Sequence, residues 1–116
     1  MLIICYPKCS TCKKAINWLK ENGLSFEERH IKDDNPNEKE LKKWIKLSGK
    51  ESRKFFNTSG ILYRELELSK KLPSMSEEEQ IKLLATDGML VKRPLLINGD
   101  TVLVGFKEKE WESLLK

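Results

Sequence analysis

No apolar run in this 116-residue chain approaches the roughly 20 residues that cross a bilayer, so a membrane-spanning helix is not expected. The N-terminus also lacks a basic segment leading into a hydrophobic core, which argues against a secretory signal. Cysteine is sparse: Cys5, Cys9 and Cys12 are an odd number gathered at one end, unlike the framework of a disulfide-stapled domain. Together these absences point to a reducing, cytoplasmic setting. Charge of one sign is not concentrated either, since the net charge is only +4 and lysines alternate with glutamates in Glu38-Lys39-Glu40 and Lys107-Glu108-Lys109-Glu110. With no continuous basic stripe, and no aromatics interleaved with one, direct contact with nucleic acid is not expected.

What is present suits one compact domain over residues 1–116, with 39% hydrophobic residues to fill a core and 34% charged residues to solvate it. The apolar run Leu2 to Tyr6 reads as a strand, and it leads through a polar turn carrying Cys9-Ser10-Thr11-Cys12 into an amphipathic helix. That helix, Lys13 to Asn22 after its first turn, puts Cys12, Ile16 and Leu19 on one face with Ala15 and Trp18 beside them; Ser10 or Thr11 is suited to cap its start. Alternation over Ser25 to Ile31 predicts a second strand. Strand, helix and strand in so short a span imply a parallel pair joined by a right-handed crossover.

Residues 37–88 read as a helical insertion. Within it Glu38 to Leu47 is a helix ended by Gly49, Lys50 to Phe56 is irregular, Asn57-Thr58-Ser59-Gly60 is a turn, and Ile61 to Leu68 is a short helix. Ser76-Glu77-Glu78-Glu79 is a capping-box sequence that predicts a helix from Glu77 to Ala85. Leu90 to Ile97 and Thr101 to Val104 flank Asn98-Gly99 as a β-hairpin, its two turn residues expected at positive φ. A last helix, Lys107 to Leu115, turns Trp111, Leu114 and Leu115 inward. The resulting order is βαβ, helices, ββα, an α/β protein on a mixed four-stranded sheet.

A CxxC motif at the end of the first strand and a proline opening the third resemble the thioredoxin-like fold. More narrowly, Cys9-Ser10-Thr11-Cys12-Lys13-Lys14-Ala15, the turn Asn57-Thr58-x-Gly60 and Lys92-Arg93-Pro94-Leu95-Leu96 resemble the arsenate reductase family, including its Spx-type redox regulators. The resemblance implies that Pro94 is cis and sets its neighbouring backbone against the active thiol, that Cys9 is the catalytic cysteine, and that Arg93 is its cationic partner. Glutathione- and glutaredoxin-coupled members bring two further arginines to the oxyanion, at positions matching 57–59 and Gly105, where this chain has no basic residue. Lys54 and Arg64 are candidates to supply that charge. Spx-type members, which carry a CxxC, contact the α subunit of RNA polymerase through a glycine matched to Gly49.

The chemistry of Cys9 follows from its place. A thiol where a strand runs into a helix faces unpaired N–H groups and the positive end of the helix dipole, which favour thiolate. With Lys8 and Arg93 nearby the effect is reinforced, and acidity chiefly improves Cys9 as a leaving group. Cys12, one turn further on, is placed to attack a mixed disulfide or sulfenic acid at Cys9, leaving a Cys9–Cys12 disulfide. Lys8, Ser10, Thr11 and Pro94 are the candidate substrate contacts, and Tyr6 a further hydrogen-bonding group. Cys5 reads as core and His30 as strand packing. A zinc site from Cys5, Cys9, Cys12 and His30 is available by residue type but lacks paired CxxC spacing, so no metal is expected.

Two functions remain open on these residues. One is a thiol-dependent oxidoreductase acting on a small oxyanion or a disulfide, with no bound cofactor and with glutathione, glutaredoxin or thioredoxin as external reductant. The other is a non-catalytic redox regulator that binds the RNA polymerase α subunit.

Overall fold

Strand β1 (Leu2–Cys5) is apolar on both faces because both are covered. In this computed structural model, which describes residues 1–115, Ile4 faces one core while Ile3 and Cys5 face a second. The other strands are β2 (Glu27–His30), β3 (Leu95–Asn98) and β4 (Thr101–Val104), in the order β2-β1-β3-β4. β1 pairs parallel with β2 and antiparallel with β3, and β3 antiparallel with β4. This is the expected mixed sheet.

Helix α1 (Ser10–Glu21) packs on one face through Cys12, Ala15, Trp18 and Leu19, joined there by Trp111 of α6 (Glu108–Leu115). The opposite face is covered by the insertion, which holds α2 (Glu38–Ser48), α3 (Ile61–Glu65), α4 (Leu68–Lys71) and α5 (Glu77–Thr86), with 3₁₀ turns at Ser52–Phe55, Leu72–Ser74 and Gly88–Leu90. Capping boxes open α2 at Asn37/Glu40 and α5 at Ser76/Glu79, and Gly49 closes α2 in the left-handed region at φ 70°. No helix among the described residues is long and apolar enough to cross a membrane.

Several local expectations are corrected. α1 begins at Ser10, so Cys9 itself is the N-cap, and neither Ser10 nor Thr11 caps it. The helix expected over Ile61 to Leu68 breaks at Glu67, whose φ of 53° separates α3 from α4. Asn98 pairs with Thr101, so the hairpin turn is Gly99-Asp100 and only Gly99 takes positive φ, the pattern of a turn with glycine first. Leu90 to Pro94 precede β3 instead of belonging to it, and Leu114 of α6, expected inward, is 54% exposed.

Arg29 binds β2 to α2. Its Nη1 and Nη2 donate to the two carboxylate oxygens of Glu40 at 2.6 and 2.8 Å, and its Nε to the Asp34 carbonyl at 2.8 Å. The hydrogen bond from Arg29 holds the Glu40 carboxyl below its ordinary value of 4.5. A depressed carboxyl adds stability above its unfolded value and loses it as the pH falls through the folded one. Glu40→Gln should therefore cost about 1 kcal/mol at pH 7, the modest figure for a pair partly open to water. Denaturant unfolding should also show this variant losing less stability than wild type on acidification below the ordinary carboxylate range.

Candidate active site

At the end of β1 the chain turns through Tyr6-Pro7-Lys8, and the Cys9 N–H closes the turn on the Tyr6 carbonyl at 3.0 Å. Cys9 has extended backbone (φ −89°, ψ 121°) and its carbonyl accepts the first helical bond, from Lys13 N–H at 3.1 Å. Its side chain makes no cap hydrogen bond, so the half-buried sulfur is not committed to holding the helix. Cys12 stands at the third position of α1, only 1% exposed, against Cys5 of β1 at 5%. All three cysteines are free thiols.

These contacts favour an ionised sulfur at Cys12. A hydrogen bond from the Cys5 thiol is the largest influence, and with the Tyr6 backbone, the Cys9 thiol and the Arg93 charge it outweighs burial and lowers the Cys12 pKa to about 6. Cys5 is pushed upward, first by that same hydrogen bond to Cys12 and then by burial. Cys5 thus does more than fill core: it keeps its proton and shares it with Cys12.

The Arg93–Pro94 peptide bond is cis, as the resemblance implies. Pro94 is buried, and its carbonyl accepts from Gly105 N–H at 2.8 Å. The Arg93 guanidinium lies 5.3 Å from the Tyr6 ring centroid, while its Nε and Nη1 are buried with no hydrogen-bond partner in the protein. Donors of a buried cation are costly to leave unpaired, so this fork is suited to an incoming anion.

A cleft of about 740 Å³ opens in front of these groups and is lined by Cys9, Thr11 and Arg93. Lys8 and Ser10 are exposed and lie outside its lining; Cys12 and Pro94 are buried behind it. The turn Asn57 to Gly60 forms the facing wall, with Lys92, Gly105, Phe106 and Lys107 completing the rim. Lys54 and Arg64, the candidates for further positive charge, do not line the cleft, whereas Lys92 and Lys107 do. Lys92 was within reach of sequence reasoning, being adjacent to Arg93; Lys107 and Phe106 carried no signal, because only the hairpin's return brings them here.

His30 lies edge-on to Tyr6, ring centroids 5.8 Å apart, and its Nδ1 accepts from the Lys32 and Asp33 N–H groups at 3.2 Å. Among the described residues no group of three or more His, Cys, Asp or Glu side chains is arranged to hold a metal ion.

The family model described as the ArsC family matches residues 5–114. Among solved structures, an ArsC family related protein from Bacteroides fragilis superposes with a TM-score of 0.95 at 61% identity, covering 97% of this chain and 95% of that one. A possible arsenate reductase from Streptococcus mutans UA159 does so with a TM-score of 0.87 at 38% identity, covering 96% of each chain. The global transcriptional regulator Spx 1 of Bacillus cereus is 27% identical over 104 residues, 90% of this chain and 78% of that protein.

Thiolate absorbance followed against pH tests the arrangement of the three sulfurs. One thiol should ionise with a midpoint at about 6. The transition should vanish in Cys12→Ser and move to higher pH in Cys5→Ala; its persistence in Cys12→Ser would assign the acidic sulfur elsewhere.

Proposed function

The chain belongs to the ArsC family, and on that premise we propose that it is a thiol-dependent oxidoreductase in which Cys9 is the nucleophile, Cys12 the resolving thiol and Arg93 the anion-binding group. The observation that carries this reading is the buried, unpartnered Nε and Nη1 of Arg93 on the wall of the cleft that Cys9 also lines. A fixed, partly dehydrated cation of this kind stabilises charge that develops on a substrate oxygen or a departing sulfur, and needs no reorganisation to do so.

The reaction follows from the sulfurs. With a disulfide as substrate, Cys9 attacks one sulfur while its proton passes to the neighbouring Cys12 thiolate; the second sulfur leaves as a thiolate and takes up that proton. Cys12, again ionised, attacks the Cys9 sulfur and expels the remaining half as thiolate. Two electrons have then moved to the substrate and a Cys9–Cys12 disulfide is left. With an oxyanion, Cys9 displaces one oxygen as water, using its own proton and one from solvent, and Cys12 then releases the central atom carrying the electron pair of its bond to sulfur. An external dithiol such as reduced thioredoxin or glutaredoxin, or two molecules of glutathione, reopens the disulfide. Because Cys12 is sealed from solvent, it meets a substrate only after that substrate is bound to Cys9.

A second reading, a redox-sensing regulator that docks on the RNA polymerase α subunit, is favoured by Gly49. This glycine is exposed at the end of α2 in the left-handed region, and the space beside it is open. The similarity to an Spx regulator points the same way.

Turnover of arsenate and of small disulfides, with each reductant in turn, separates the two. Wild type should turn over at least one of them, Cys9→Ser should not, and Arg93→Met should lower kcat/KM about 100-fold. Absence of turnover with every substrate and donor, together with capture of the α subunit by one redox form, would favour the regulator.

A further inference from the structure

The cleft carries more positive charge than one reacting group requires. Its lining includes Arg93, Lys92 and Lys107 and no aspartate or glutamate. Gly105, at φ +75°, sits beneath Lys92: a Cβ there would stand 3.2 Å from the Lys92 Cε and 3.8 Å from its Nζ. The missing side chain leaves the lysine room to lie across the cleft's rim, and Gly105 is itself pinned to the Pro94 carbonyl. No ion pair among the described residues engages Lys92 or Lys107. Beside these cations the cleft offers Ile61, Leu62, Met89 and Phe106 as apolar contacts, and about 740 Å³ accommodates an organic ligand much larger than a tetrahedral oxyanion.

We propose that Lys92 is a specificity-determining residue, its ammonium holding a carboxylate of an organic disulfide whose sulfur meets Cys9. The substrate class is the disulfide of a small, carboxylate-bearing thiol, with its carbon skeleton against the apolar wall. Arg93 stays with the reacting sulfurs, so the two cations serve different parts of one ligand. This rests on the thiol-reduction reading above and adds the substrate to it.

The test compares dithiodipropionate, which has a carboxylate on each half, with its neutral counterpart dithiodiethanol, at low ionic strength and with a fixed reductant. Wild type should favour the dianion in kcat/KM. Lys92→Met should reduce that preference about tenfold, the loss of one charge-assisted contact, mainly by raising KM for the dianion, and Lys92→Arg should keep most of it. An unchanged preference in Lys92→Met, or none in wild type, overturns the role of Lys92 and leaves disulfide reduction standing. Reduction of neither compound by wild type overturns both.

Discussion

Strand β1 is buried on both faces, and the position of every reacting group follows from that. Ile4 is locked into the core under the insertion and Ile3 and Cys5 into the core under α1 and α6, so the strand cannot slip by one residue without exchanging its two faces. The end of β1 is thereby set relative to β3, its antiparallel neighbour, and through β3 to the cis peptide at Arg93–Pro94. The cysteine turn and the arginine come from opposite ends of the chain, and this strand pair is what brings them together.

Electrostatics at the site are organised by burial. Cys5 and Cys12, from the central strand and from the first turn of α1, share a proton across the junction between sheet and helix. Arg93 contributes to keeping the charge on Cys12, while two of its donors remain unpaired. The pattern suits a cycle in which charge moves between sulfurs. Negative charge on Cys12 is held in part by Arg93, and water has little access to the Cys12 sulfur.

Much of this was legible in the sequence because period and punctuation agree. The apolar run at Leu2 to Tyr6, the capping box at Ser76 and the glycine after α2 each name their element unaided. Cys9, Thr11 and Arg93 were legible as lining groups from the CxxC and Arg-Pro motifs. What stayed hidden depends on tertiary contact. Leu114 matches the helical period of α6 yet faces water. The break at Glu67 has no glycine or proline to announce it. The acidity of Cys12 depends on Cys5, seven residues away, which looks like ordinary core until the helix is laid against the strand. Lys107 reads as surface charge until the fold sets it on the rim of the cleft, and Lys92 lies there over the space that Gly105 leaves.

The central claim is that Cys9 and Cys12 form a pair that exchanges two electrons. Peptide mass mapping after stoichiometric oxidation of the reduced protein addresses it most directly. The account predicts a species two hydrogens lighter, with the link between Cys9 and Cys12 and with Cys5 still a thiol. A link to Cys5, or stepwise oxidation of Cys9 to sulfinic acid with Cys12 unmodified, would contradict it.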